Sequence, residues 1–251
     1  MGIDFNVVRN NPSFFSLLSK KIYPFSKKTF MKKIITLIVA MVIAVICFSY
    51  CNAQSMAKFV DLGLPSGTLW ADRNVGAASP EDYGDYFAWG ETTAKSNYNW
   101  STLKYCEDDT GDKYSKYNTK SEYGIVDNKT TLERSDDAAT ANWGSDWCTP
   151  TPQQFQELYD NCTWTKTKRN GKKGYEVKGK NGNSMFLPAA GYRYATVLYN
   201  ASSYYGYYLS SSLSATGPDH VIVLVFGAGG VLPVGWYYRF MGQPVRAVRC
   251  R

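Results

Sequence analysis

Histidine is nearly absent: His220 is the single one in 251 residues. A Ser-His-Asp or Cys-His device needs an imidazole within hydrogen-bond reach of its nucleophile. Only His220 could serve, and no G-x-S-x-G elbow lies near it. The same scarcity, with no C-x-x-C pair anywhere, argues against a structural zinc site. Charge excess is also missing where it would count. The formal charge is +7, but residues 1–53 hold seven basic residues and one acid. Residues 54–251 therefore carry 21 basic and 20 acidic side chains. A nucleic-acid partner needs a basic face, and this balance supplies no general one. Nor is there an apolar run of about 20 residues, the length needed to span a bilayer as a helix. No cofactor-binding motif is present.

What is there begins with an export signal. Met31-Lys32-Lys33 is a positive n-region. Ile34 to Cys47 is a 14-residue run, apolar but for Thr36. Cys51-Asn52-Ala53 then offers small residues for cleavage before Gln54, the layout of a secretory signal peptide over 31–53. Tyr50 and Ile46 precede Cys51 and Cys47, which disfavours lipidation. Residues 1–30 lie upstream of a complete signal and read as an extension, with Met31 the expected start. The mature chain, 54–251, is expected as one domain in the periplasm, at the cell surface or secreted. Its membrane contact is expected to end with the signal peptide.

Along 54–251 the pattern is α+β. Thr68–Ala71 and Asp85–Trp89 read as short strands between Gly turns. Residues 92–133 are polar with scattered Tyr and no clear period, and read as a long surface insertion. Ser135 is placed to cap a helix over 136–143, ended by Gly144. Thr151-Pro152-Gln153-Gln154 is a capping box with Pro at the first helical position, and Phe155, Leu158 and Tyr159 fall on one face. Strands follow: Thr163–Lys168 and Tyr175–Lys178 around Asn170-Gly171, then Ser184–Pro188, Tyr204–Ser211, His220–Phe226, Val231–Tyr238 and Gln243–Cys250. Four cysteines remain (Cys106, Cys148, Cys162, Cys250), which allow three full pairings.

Aromatics are plentiful: 31 of the 198 residues in 54–251. Trp70, Trp89, Trp143, Trp147 and Trp164 read as packing residues. Trp236-Tyr237-Tyr238-Arg239-Phe240 is different. Side chains alternate across a strand, so five in a row cannot all be core, and at least two should face outward. Exposed Tyr, Trp and Arg supply large contact area at small entropic cost. These five, with Asp219 and His220 as polar partners, are the expected ligand-binding residues. Two carboxylates at a fixed gap would suffice for a glycosidase. Asp85, Glu91, Glu157 and Asp219 exist, but sequence does not reveal spacing; Asp85 reads as structural and Glu157 as a solvated helix residue. Asp108, Asp109 and Asp112 lack EF-hand spacing and read as a solvated acidic loop.

Several segments resemble one family. They are Val60–Trp70, Asn74–Ala77, Gly84–Glu91, Asp136–Ala139, Asn142–Gly144, Cys162–Trp164, Phe186–Arg193, Gly206–Tyr208, Ser210–Ser212 and Val245–Cys250. Together they are similar to the Fibrobacter succinogenes major paralogous domain, across nearly all of 58–251. Leu209 and Cys148 depart from it, where the family more often has Trp and Arg. The resemblance implies a C-type-lectin-like fold, with two helices packed on short twisted antiparallel sheets and C-terminal strands presenting a binding face. It is similar in turn to formylglycine-generating enzymes and to the variable proteins of diversity-generating retroelements. The closely spaced cysteine pair of the former is absent, as are the Glu-Pro-Asn and Gln-Pro-Asp sugar loops of calcium lectins. Stretch 207–249 is similar to a retroelement variable region. Val221, Val223, Val225, Leu232, Val234 and Tyr237 stand among positions where the family often has Asn, whose codons yield such residues when adenines are randomised. Cys148 and Cys250 are the cysteine pair to test first. The expectation is a non-enzymatic module binding a glycan or a surface protein. The alternatives are a structural envelope or fimbria-associated component, and a carbohydrate-active enzyme.

Overall fold

The computed structural model describes residues 31–42, 57–201 and 203–250. It divides into two units, 1–54 and 55–251. In the first, residues 31–42 are helical and exposed. The rest of the expected signal and its cleavage site lie outside the described residues. Among the described residues no helix is long and apolar enough to cross a membrane.

The second unit is α+β with several small antiparallel sheets. In chain order its strands begin with β1 (Phe59–Asp61), β2 (Leu69–Ala71) and β3 (Trp147–Cys148). Next come β4 (Cys162–Arg169), β5 (Lys172–Gly179), β6 (Ser184–Pro188), β7 (Tyr192–Tyr194) and β8 (Val197–Tyr199). The last four are β9 (Gly206–Leu213), β10 (His220–Gly227), β11 (Gly230–Tyr238) and β12 (Val248–Arg249). They form sheets ordered β1-β2-β12-β3, β11-β10-β9, β4-β5-β6 and β7-β8. The β4–β5 turn works because Asn170 and Gly171 both take positive φ, 46° and 79°, as a two-residue hairpin of this type requires.

Two helices join these sheets. In α1 (Ala138–Trp143) the cap is Asp137, not Ser135: the Asp137 carboxylate accepts from the Ala139 and Thr140 amides. Residues 134–136 instead form a 3-10 turn, which carries Ser135 out of capping reach. Helix α2 (Pro152–Asn161) has the expected capping box between Thr151 and Gln154. Its Phe155 and Leu158 enter a core with Trp70, Tyr175, Val177, Leu187, Leu224 and Phe226, while Tyr159 stays exposed. Glu157 is not merely solvated: it accepts from the Ser66 amide and hydroxyl, at 2.7 and 2.6 Å.

Three expected elements turn out differently. Asp85–Trp89 is no ladder strand; Phe87 makes one isolated bridge, to Gln243. Gln243–Cys250 forms a strand only over its last residues, because its backbone serves loops first. The Gln243, Val245 and Ala247 carbonyls accept from Phe87, Val75 and Ala71 in turn. The 92–133 stretch is not a loose surface insertion. Its Tyr98, Leu103, Tyr114 and Tyr117 are buried, and Tyr98, Leu103 and Tyr114 build a third core with Tyr86, Ala88 and Phe240.

Asp136 ties that segment down. Its buried carboxylate accepts from Lys104, Lys116, Tyr105 and Tyr117. Burial opposes the charge, but the hydrogen bonds from Lys116, Lys104, Tyr117 and Tyr105 outweigh it and hold the carboxyl below its usual range. Cys148 and Cys250 are joined by a disulfide that closes β3 onto the chain end across 102 residues. Cys106 and Cys162 are free thiols, and burial raises the Cys162 thiol to about 11.

Two outcomes follow. Cys250→Ser is expected to lower stability by about 2–5 kcal/mol in denaturant unfolding without reductant. Asp136→Asn is expected to cost about 3 kcal/mol at neutral pH. Its native carboxyl is depressed, so the wild-type advantage is full above the ordinary Asp value, about 3.9, and shrinks as pH falls below it. Parallel melts of both proteins from neutral to acid pH measure that convergence.

Candidate ligand-binding face

The face forms where β11 meets the β7–β8 hairpin. β11 is an edge strand paired on one side with β10. Alternation sends Leu232, Val234, Trp236 and Tyr238 to solvent and turns Gly235 and Tyr237 inward. The register sets His220 opposite Tyr238 and Ile222 opposite Trp236.

The exposed side chains extend into a chain of ring contacts. His220 lies 4.8 Å from Trp236 and 4.4 Å from Tyr238. Tyr238 stacks on Phe240 and meets Trp100 edge-on at 5.6 Å. Phe240 touches Tyr194, Tyr194 touches Tyr199, and Tyr199 stacks on Tyr192. Tyr192 closes the chain against Tyr207 and Tyr237. Trp236 is 61% exposed and Tyr238 42%, and Tyr194 and Tyr199 are also exposed. The result is an aromatic ridge whose inner rings brace its outer ones.

The seven sequence-derived residues divide three ways. Trp236 and Tyr238 are open to solvent. Asp219 and His220 are half-buried, and Asp219 Oδ2 lies 2.9 Å from His220 Nδ1. Tyr237, Arg239 and Phe240 do not face a ligand. Tyr237 is half-buried against core residues and Tyr207; burial, with the Tyr207 hydroxyl beside it, raises its phenol. Phe240 is 3% exposed and plugs the third core. Arg239 is 0% exposed. Its guanidinium donates to the carbonyls of Tyr117 and Pro218, at 3.2 and 3.1 Å. It lies over the rings of Trp89 and Tyr114. Burial lowers its pKa to about 10. Strand alternation ends at Tyr238, and Arg239 turns inward to the distant carbonyls of Tyr117 and Pro218, with Phe240 following it into the core.

Sequence reading missed Trp100, Tyr192, Tyr194 and Tyr199. The signal available was the aromatic alternation of Tyr192-Arg193-Tyr194 with Tyr199 facing it across a short hairpin. Trp100 had none, because it comes from the 92–133 segment.

No protein-family model, curated protein or solved structure matches the chain.

Among the described residues no hydroxyl or thiol hydrogen-bonds to His220 Nε2, and no group of three or more His, Cys, Asp or Glu could hold a metal ion. Glu91 is occupied by Lys95 and the Lys104 amide. The positions expected to vary also divide: Val221 and Val223 are core, while Leu232 and Val234 are exposed.

The buried and exposed members of the segment should respond oppositely. Arg239→Ala is expected to cost at least about 3 kcal/mol, through a cavity and unpaired carbonyls. Trp236→Ala is expected to stay within about 0.5 kcal/mol of wild type. Denaturant titration of the two variants side by side makes the comparison.

Proposed function

We propose that this is an exported, non-enzymatic binding module whose aromatic ridge captures a ligand outside the cytoplasm. The scaffold we infer is C-type-lectin-like: two helices, small antiparallel sheets, and C-terminal strands that carry the face. That reading draws on the resemblance to the paralogous domain and on the α+β architecture. Export draws on the Met31–Ala53 signal pattern.

One observation carries the binding assignment: Trp236, Tyr238, Tyr194 and Tyr199 are exposed on a single run of touching rings. Leaving large rings exposed to water is unfavourable, and patches of this kind mark interaction sites. A glycan suits it. Sugar rings present apolar faces that lie on Trp and Tyr, and the Asp219–His220 pair offers hydrogen bonds to hydroxyls. A surface or envelope protein is the second reading. It is favoured by Leu232 and Val234, which prolong the exposed stripe on β11 with aliphatic side chains. A diversified form of this module would vary at the outward positions of β11 and keep the core residues Val221 and Val223.

The test is a glycan array and an envelope-protein capture with the full chain. Trp236→Ala/Tyr238→Ala is expected to bind at least about 100-fold more weakly than wild type, since hot-spot aromatics are worth about 2 kcal/mol or more each. Its melting temperature should be unchanged. Undiminished affinity in this variant refutes the ridge as the site.

A further inference from the structure

We propose that the β4–β5 hairpin is a second binding surface, for an acidic polysaccharide. Residues 163–180 hold seven basic side chains against one acid, Glu176. The remainder of 54–251 holds fourteen against nineteen. The near-neutral total thus hides a sharp segregation of charge.

The register concentrates it. Lys168 lies opposite Lys173, and Arg169 opposite Lys172, at the two rungs beside the turn. Like charges directly across a ladder destabilise it. Threonine, already at positions 163, 165 and 167, would serve the strands better. Among the described residues none of the four cations lies within 4.0 Å of a carboxylate. Three lie over rings: Arg169 over Phe186, Lys172 over Tyr83 and Lys173 over Tyr204. Rings steady the side chains without neutralising them. Glu81 reaches the turn, where its carboxylate accepts from the Asn170 amide. The like-charge rungs work against the fold and leave four cations at the tip against the one carboxylate of Glu81.

Geometry selects the partner. Alternation places Lys168 and Lys173 on one face of the ribbon and Arg169 and Lys172 on the other. No single plane gathers all four, so a bilayer surface meets half the charge. Residues 165–173 carry no large apolar side chain to enter a membrane. A flexible polyanion can follow both faces. Tyr204 beside Lys173, and the exposed Tyr205 next to it, give sugar rings a surface that phosphates alone would not use.

The experiment measures binding of the full chain to heparin, polygalacturonate, neutral dextran, phosphatidylcholine–phosphatidylglycerol vesicles and a short DNA duplex. Heparin and polygalacturonate are expected to bind and dextran not. Raising salt from about 50 to about 200 mM should weaken binding about 50-fold, as roughly four ion contacts would by counterion release. The variant Lys168→Thr/Arg169→Thr/Lys172→Thr/Lys173→Thr should lose at least about tenfold in affinity, through the same contacts. It should melt at or above the wild-type temperature, because the like-charge pairs are gone. If it melts lower, Lys168→Thr/Lys173→Thr alone must still show the loss while melting at or above wild type. Trp236→Ala/Tyr238→Ala should bind both polyanions normally, which separates this surface from the ridge. Unchanged binding after charge removal, no binding to either polysaccharide, or tighter binding to vesicles or duplex overturns the proposal.

Discussion

Two guanidinium groups, wholly buried and with no carboxylate within 4.0 Å among the described residues, hold the domain together. Arg246 donates to Asn74 Oδ1 and to the carbonyls of Ala71 and Phe186, at 2.9, 3.1 and 2.9 Å. It thereby joins the end of β2, the following loop and β6. Arg239 does the same for Tyr117 and Pro218. Burying a charge without a counter-charge is costly unless its donors are satisfied: each Arg246 nitrogen has an acceptor, whereas Arg239 leaves its Nε unpaired and relies also on the rings of Trp89 and Tyr114. The backbone carbonyls around each arginine are therefore held in place: moving any one of them strands part of a cation in the core. Short strands and long loops, which have few ladder bonds of their own, gain their rigidity from these two points. Burial lowers both pKa values to about 10, so both groups stay charged through the physiological range.

The ridge depends on that constraint. Arg239 ends the alternation of β11 and draws Phe240 inward after it. Phe240 then supports Tyr238 by stacking and Trp100 at 4.4 Å. Trp100 is available because the 92–133 segment folds onto Asp136 instead of trailing in solvent. A buried arginine, a buried carboxylate and a packed phenylalanine thus stand behind the rings that face outward. The exposed rings and the buried residues that support them are neighbours in sequence, which is why one five-residue segment contains both kinds.

Charge shows the same division between local pattern and spatial arrangement. The total over 54–251 argues against a basic face. The β4–β5 register nonetheless collects cations at one turn, since cross-strand pairing brings together residues that flank Asn170-Gly171. A net charge averages over the surface; a partner meets only the part it touches.

Local signals in the sequence determined what depends on near neighbours alone. The Thr151–Gln154 capping box and the face of Phe155 and Leu158 specified α2, and Asn170-Gly171 specified a hairpin. The alternation in 231–238 specified an outward Trp236. Each is decided by backbone geometry within a few residues. Tertiary structure decided what depends on residues far apart in the chain. Arg239 is inside because Tyr117 and Pro218, 122 and 21 positions away, offer it carbonyls. Residues 92–133 are packed because Asp136 gathers two lysines and two tyrosines from that stretch. Gln243–Ala247 runs as irregular backbone because its carbonyls are claimed by residues 71–87. No periodicity encodes these choices, because a buried polar group is satisfied by whichever partner the whole fold brings within reach.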